Sequence, residues 1–328
     1  MKGNNRVRIA LICTKGGHFE QLTNLSDFYG RYNHFWVTNR NEQTINTLLD
    51  EKKYFVNLAH FKKPWTYLYQ LPDFIKIFAT EGPTHILSTG SGMTAFVPFV
   101  LAKVFKIKFM YIDTFSRVNG YSKLGTFLLK SGQKIFCQWE DSENKKAIYI
   151  GPVFKKVKPF LKNPNSEYIF VTVGTREEPF TRLIQAVEEL KKGGTIKEKV
   201  IVQAGATKYL SGCMDIFDFC PPEKIEDLIM NSKYVVTQES AGIGTICLKY
   251  QTKFLVMPRD YKHGELPAKS DMKEDLHLKL EEMGYTRVVN DTLEMKNAIT
   301  QLDNIKTGFD FDNKLAIETL TRYMEGKA

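Results

Sequence analysis

Cys13-Thr14-Lys15-Gly16-Gly17-His18-Phe19-Glu20-Gln21-Leu22 follows the apolar run Val7 to Ile12. A buried strand that ends in two glycines and passes into an amphipathic stretch reads as strand, tight turn and helix. Such a turn aims backbone amides and a helix N-terminus at one spot, where an anion is held, with His18 alongside. Imidazole has an ordinary pKa of about 6.5, so His18 is a group that accepts a proton at neutral pH. The same order recurs at Ser88-Thr89-Gly90-Ser91-Gly92, Val173-Gly174-Thr175 and Ser240-Ala241-Gly242-Ile243-Gly244. Four such loops point to two nucleotide-type folds with a cleft between them.

The chain of 328 residues is long enough for two domains with sizeable cores, and 43% hydrophobic with 25% charged residues is ordinary for a globular protein. The five cysteines, Cys13, Cys137, Cys213, Cys220 and Cys247, show no C-x-x-C spacing. That argues against a zinc site or a disulfide framework and fits a reducing compartment. Met1 to Arg8 is polar and the apolar run after it is only about six residues, so a cytosolic protein without a secretory leader is expected.

The charge of +9 is unevenly spread. Residues 1 to 155 hold 21 Lys and Arg against 11 Asp and Glu, and the remainder 25 against 26. The excess therefore lies in the first half, mixed with aromatic residues in Phe61-Lys62-Lys63-Pro64-Trp65-Thr66-Tyr67-Leu68-Tyr69 and then Phe74, Lys76 and Phe78. This mixture suits a helix lying in a lipid interface, and it equally describes a solvated helix with a core-facing stripe. The longest apolar run, Met93 to Ala102, is about half the length that spans a bilayer. Any membrane contact is therefore peripheral.

In chain order the pattern alternates strand and helix. Strands are expected at Arg6 to Cys13, Phe35 to Thr38, His85 to Ser88, Lys108 to Ile112, Lys134 to Trp139 and Ala147 to Ile150. Helices are expected at Glu20 to Tyr29, Glu42 to Asp50, Pro72 to Thr80 with a proline start, and Met93 to Val104. Gly151-Pro152 and Lys155 to Pro164 read as a linker, which sets domains of 1–155 and 156–328. After the linker come strands at Tyr168 to Val173, Val200 to Gln203, Met214 to Phe219, Tyr234 to Thr237 and Lys253 to Met257. Helices accompany them at Phe180 to Lys191, Pro222 to Met230 and Gly244 to Lys249, and then at Lys273 to Met283, Leu293 to Leu302 and Asn313 to Glu325. Alternation of this kind implies parallel doubly wound sheets, with ligands beyond the carboxyl ends of the strands.

Two Rossmann-like α/β domains facing across a cleft resemble the GT-B glycosyltransferases. In the first half Lys15-Gly16-Gly17-His18, Thr89-Gly90-Ser91-Gly92, Tyr111-Ile112-Asp113-Thr114-Phe115-Ser116-Arg117-Val118, Gln138-Trp139-Glu140 and Tyr149-Ile150-Gly151-Pro152-Val153-Phe154 resemble one particular subunit. It is the membrane-recruiting subunit of the eukaryotic two-part N-acetylglucosaminyltransferase that adds the second GlcNAc to the dolichol-linked N-glycan precursor. In the second half Ile169 to Thr175, Pro179 to Ile184, Val202-Gln203-Ala204-Gly205-Ala206 and Glu239 to Thr245 resemble its catalytic subunit. Both halves are also similar to the paired bacterial glycosyltransferases of exopolysaccharide and capsule assembly, and more distantly to MurG. The chain departs from these families in three places. Asp113 stands where Glu is usual, Cys247-Leu248 where an acidic residue commonly follows the donor loop, and Asp275-Leu276-His277 where Asp-His-Gln is usual.

The resemblance implies an inverting UDP-sugar glycosyltransferase that needs no metal or cofactor and no nucleic acid. GlcNAc would pass from UDP-GlcNAc to a polyprenyl-diphosphate-linked sugar at the cytosolic face of the membrane. His18 and Asp113 are the catalytic candidates, as base and orienting group or with Asp113 as base in its stead. Gly16, Gly17, Thr89, Gly90, Gly92 and Arg117 would hold the acceptor and its phosphates. Gly174, Thr175, Gln203, Gly205, Glu239, Ser240, Ala241, Gly242, Gly244 and Glu265 would hold the donor, with helix N-termini facing the diphosphate. Asp310-Phe311-Asp312 has the D-x-D form of a metal motif, but its place before a helix reads as a cap. Transfer of galactose, glucose or glucuronate in capsule synthesis, a UDP-sugar 2-epimerase and a non-catalytic membrane partner remain as alternatives.

Overall fold

The computed structural model describes residues 7–59, 63–140, 144–156, 166–267 and 275–327. Residues 61–62 of the basic-aromatic segment, 157–164 of the linker and 273–274 of the helix expected from Lys273 lie outside them. The chain forms two compact units, one of Met1–Lys156 with Phe311–Ala328 and one of Val157–Asp310.

The first unit begins β1 Arg8–Ile12, α1 Gly17–Thr23, α2 Ser26–Tyr29, β2 Asn33–Thr38, α3 Glu42–Thr47 and β3 Lys53–Phe55. It continues α4 Thr66–Glu81, β4 His85–Ser88, α5 Gly92–Phe105, β5 Lys108–Tyr111, α6 Lys123–Lys130, β6 Ile135–Cys137 and β7 Ala147–Tyr149. Its parallel sheet runs β3-β2-β1-β4-β5, and the parallel pair β6-β7 adjoins it through an Ile112 to Phe136 bridge. Register is fixed by wholly buried strands: Ala10 pairs with Phe35 on one side and Ile86 on the other. Strands buried on both faces read as unbroken apolar runs, which is how they were legible.

The second unit comprises β8 Tyr168–Thr172, α7 Thr181–Lys192, β9 Lys199–Gln203, β10 Asp215–Phe217, α8 Pro222–Asn231 and β11 Tyr234–Thr237. It ends with α9 Ala241–Lys249, β12 Lys253–Val256, α10 Leu276–Glu282, β13 Arg287–Val288 and α11 Thr292–Thr300. The sheet order β10-β9-β8-β11-β12-β13 matches the first unit in plan, with the first strand at the centre and the order reversing beside it. This is the Rossmann arrangement, in which the crevice at the reversal receives the ligand.

The last helix, α12 Lys314–Met324, corrects the expected division at 156–328. Residues 311–328 pack on the first unit, where Ala316 and Leu320 join a core with Ile9, Leu11, Trp36 and Phe136. Asn313 Nδ2 donates to the carbonyl of Asn24 at 2.7 Å. Asn24 also breaks the single helix expected over 20–29 into α1 and α2. Its side chain turns to the Glu20 carbonyl (2.7 Å) and accepts the Lys155 amide (3.0 Å).

A second correction concerns Pro72. It lies inside α4, which starts six residues earlier at Thr66, although proline supplies no amide to the turn before it. Burial of Gln70, Phe74, Ile77, Phe78 and Glu81 along one stripe keeps the segment helical. Helix α6 and strands β3 and β13 went unread in the sequence; α6 is announced only by Ser122, whose side chain caps the Gly125 amide at 3.0 Å. Among the described residues no helix is long and apolar enough to cross a membrane.

Candidate active site

In the first unit the carboxyl ends of β1, β4 and β5 carry the turn with His18, the Thr89-Gly90 turn and Asp113. Gly16 has φ +80, which a glycine adopts without strain, and its amide is taken by Gln43 Oε1 at 3.1 Å. His18 is the second residue of α1 and is half-buried. Its Nδ1 is buried and has no hydrogen-bond partner among the described residues. Burial pushes the imidazole below its ordinary pKa, opposed by a hydrogen bond to the Thr89 backbone and then by the negative charge of Asp113. The shift favours the neutral ring, and its Nδ1 is left without a partner among the described residues.

Asp113 is 2% exposed and its carboxylate is clamped. Oδ1 accepts the Thr114 amide at 2.9 Å and Oδ2 the Ser122 amide at 2.8 Å. Burial raises its pKa, opposed by the bonds from Ser122 and Thr114 and by His18. Gly125 is required here, because a Cβ on it would stand 2.5 Å from Asp113 Oδ2. With both oxygens engaged, Asp113 acts on His18 as a fixed charge.

The remaining acceptor-side residues divide. The Thr89 hydroxyl donates to the His18 carbonyl at 2.6 Å, and the Gly90 amide donates to Ser88 Oγ at 3.1 Å. A Cβ on Gly90 would meet Thr94 Oγ1 at 2.8 Å and Cys13 Cα at 3.3 Å. These two residues build the turn, so the phosphate cradle expected of Thr89 and Gly90 is not formed by that hydroxyl and that amide. Gly92 opens α5, whose N-cap Ser91 gives it no side-chain bond. Gly17 is exposed with open space around it. Arg117 lines a cavity of about 370 Å³ together with Asp113, Asn119, Gln138, Trp139 and Glu140. Gly92 and Lys123 also wall an apolar groove of about 490 Å³ with Tyr67, Leu68, Phe96 and Phe127.

In the second unit the loops after β8, β11 and β12 are knitted by a residue that the sequence reading passed over. Arg259 is 2% exposed and its guanidinium donates to the carbonyls of Glu178 (2.8 Å), Glu265 (3.0 Å) and Val173 (2.9 Å), and to Gln238 Oε1. It lies over the Phe180 ring at 4.8 Å. Glu239 accepts the Arg259 amide at 2.8 Å. Gly174 and Gly205 both have positive φ, and a Cβ on Gly205 would fall 2.5 Å from the Gly174 carbonyl oxygen. Only glycine allows that approach of the two turns. Thr175 is exposed beside them.

Three residues expected to hold the donor have partners within the unit. Gln203 is buried and its Oε1 accepts the Thr172 hydroxyl, which braces β8 against β9. Glu265 gives both oxygens to Arg182 (3.0 and 2.9 Å) and one also to the Asp260 amide (2.8 Å), which leaves its carboxylate committed to the loop. Gly244 faces Phe254 and Leu280 within the unit. Ser240 caps α9 by accepting the Ile243 amide at 3.4 Å, so the helix starts at Ala241, three residues before the expected Gly244. Ala241 and Gly242 are its first two residues, and nothing crowds Gly242. Asp312, the residue before the N-cap Asn313 of α12, accepts the Lys314 amide at 2.9 Å, and α12 has no side-chain cap. The described residues hold no cluster of metal-ligating side chains.

No protein-family model matches the chain, and no curated protein matches it in sequence. The motif resemblance to the two-part N-acetylglucosaminyltransferase therefore has no counterpart at the level of sequence families. Solved structures do match over nearly the full length. A UDP-GlcNAc 2-epimerase of Methanocaldococcus jannaschii in complex with UDP-GlcNAc and UDP is similar at 14% identity and TM-score 0.64, covering 98% of this chain and 100% of that one. MurG of Acinetobacter baumannii follows at 11% and 0.60, covering 96% and 99%. The glycotransferase of kitacinnamycin gives 13% and 0.62, covering 98% and 95%. The fold is GT-B. At these identities the likeness extends to the two parallel-sheet domains and no further.

Proposed function

We propose that this chain is an inverting glycosyltransferase that moves a sugar from a UDP-sugar, GlcNAc foremost, to a polyprenyl-diphosphate-linked sugar at the cytosolic membrane face. The observation that carries the reading is His18: an imidazole whose buried Nδ1 has no hydrogen-bond partner among the described residues, in the field of the clamped Asp113 carboxylate, which itself lines a polar cavity.

In the reaction an acceptor hydroxyl attacks the anomeric carbon of the donor. The new C–O bond forms as the bond to the diphosphate breaks, and the hydroxyl proton passes to His18. Asp113 lowers the free energy of the imidazolium so formed. The cavity beside Asp113, with Arg117, Trp139 and Glu140, suits the acceptor sugar, since an aromatic face and polar rims match a pyranose ring. The uncrowded start of α9 at Ala241 and Gly242 suits the departing diphosphate, which gains from helix amides and dipole. Gly174 and Thr175, with Glu239, would border the same ligand, and Arg259 braces the loops that carry them. Peripheral membrane attachment is supported by the apolar groove beside Gly92 and by the exposure of Trp65 (53%), Leu68 (67%), Tyr69 (74%) and Phe127 (45%) within a basic half.

The structural likeness to a UDP-GlcNAc 2-epimerase favours one second reading, an epimerase that needs no acceptor. Incubation with UDP-GlcNAc, UDP-galactose, UDP-glucose and UDP-glucuronate, with and without an alkyl-diphosphate-GlcNAc acceptor, separates the two. Transfer only when acceptor is present supports the proposal, with the donor that reacts naming the sugar. A 2-epimer formed without acceptor replaces it.

A further inference from the structure

Two buried glutamines join the helix of His18 to the loop of Asp113. Gln21 lies three residues after His18 on α1 and is 5% exposed, and Gln138 follows β6 and is 2% exposed. Gln138 Nε2 donates to Gln21 Oε1 at 2.6 Å and to the Asp113 carbonyl at 2.9 Å, while its Oε1 accepts the Val153 amide at 3.1 Å. Gln21 Oε1 also accepts the Phe115 amide at 3.2 Å, and its Nε2 donates to the Gly17 carbonyl at 3.2 Å. Each amide oxygen faces N–H donors and each amide nitrogen faces oxygens, so neither side chain can flip without breaking bonds.

Packing alone does not call for amides here. Phe19 and Leu22 flank Gln21 on α1 and Phe136 lies two residues before Gln138, all in one apolar cluster with Val153, while Gln138 also lines the cavity beside Asp113. What a fully bonded buried amide adds is a single backbone arrangement. The segments it fixes are the turn with His18, the loop from Asp113 to Phe115, the end of β6 and the stretch at Val153. Asp113 is the charged group acting on His18, and its Oδ1 also accepts the Tyr111 hydroxyl at 3.5 Å, which stands 3.1 Å from the Ser122 hydroxyl.

We infer that Gln21 and Gln138 are positioning residues that set the place of the Asp113 carboxylate relative to the His18 imidazole. This rests on the reading of His18 as the base, but its geometry can be tested without turnover. The full chain is prepared as wild type, Gln138→Met, Gln21→Met and Asp113→Asn, and the titration of the His18 ring is followed by NMR. His18→Ala identifies its signals among the six histidines. The expected result is that the methionine variants, folded by circular dichroism, move the His18 midpoint in the same direction as Asp113→Asn and by about half of that shift or more. Their kcat for transfer falls by roughly 10- to 100-fold with donor KM little changed, the size expected for a misplaced catalytic group. Gln21→Met serves as an independent test should Gln138→Met not fold. A wild-type midpoint in a folded methionine variant overturns the inference. A shifted midpoint in a protein that transfers no sugar upholds it and removes the functional reading instead.

Discussion

His18 and Asp113 perturb one another in opposite senses, and the sign of that coupling can be measured. Burial lowers the imidazole pKa from its ordinary 6.5, and the Asp113 charge partly restores it. Asp113→Asn removes the restoring charge, so the ring stays neutral to lower pH and the acid limb of kcat/KM moves down. At the same time kcat falls by about 100-fold or more, because the imidazolium formed in the reaction loses its counter-charge. A pH–rate profile of the variant checks both. An acid limb that moves up, or stays in place, contradicts the assignment. At this scale the sequence was partly legible: His18 and Asp113 occur in motifs, whereas the partners that clamp them do not announce themselves. Glu265 looks like a free carboxylate in sequence, and its partner Arg182 lies 83 residues away. Gln138 stood in a quoted motif with no role, because its bonds reach 117 residues to Gln21.

At the scale of elements, the strands were the legible part. His85–Ser88 and Tyr234–Thr237 have the bounds expected from their apolar runs, since a strand buried on both faces has no polar alternation to confuse it. Helices that depend on distant partners were misread. Asn24 splits the first helix because Lys155 and Asn313 bond to it, and neither is near it in sequence. Pro72 has the look of a helix start, yet α4 runs through it for the sake of its buried stripe. The proline withholds an amide from the Leu68 carbonyl. Pro72→Ala restores that amide in an otherwise unbroken helix, with an expected gain of about 1 kcal/mol, below the full proline penalty because the helix is already accommodated. Thermal or urea unfolding measures it. A loss of stability would mean that the proline ring is itself needed for packing.

On the scale of the whole molecule, the two units share a strand plan and differ in charge. The C-terminal 18 residues add three charges of each sign, so their return to the first unit leaves the basic excess there. That return was not legible, because a chain-order reading gives each domain one continuous stretch. Removing residues 311–328 uncovers the core contacts of Ala316, Leu320 and Phe311, all 3% exposed or less. At about 1.5–3 kcal/mol for each large apolar side chain, the loss is comparable with much of a domain's stability. Calorimetry of the truncated chain is expected to show a lowered transition for the first unit and an unchanged one for the second; an unaltered trace would place the helix outside the first unit's core. The most direct measurement of the central claim is sugar transfer from the preferred UDP-sugar to the alkyl-diphosphate acceptor by His18→Ala beside wild type, with UDP affinity measured on both. The account predicts a fall in kcat of about 100- to 10,000-fold at unchanged UDP affinity. Transfer by His18→Ala within about threefold of wild type, far short of a general base's share, contradicts it.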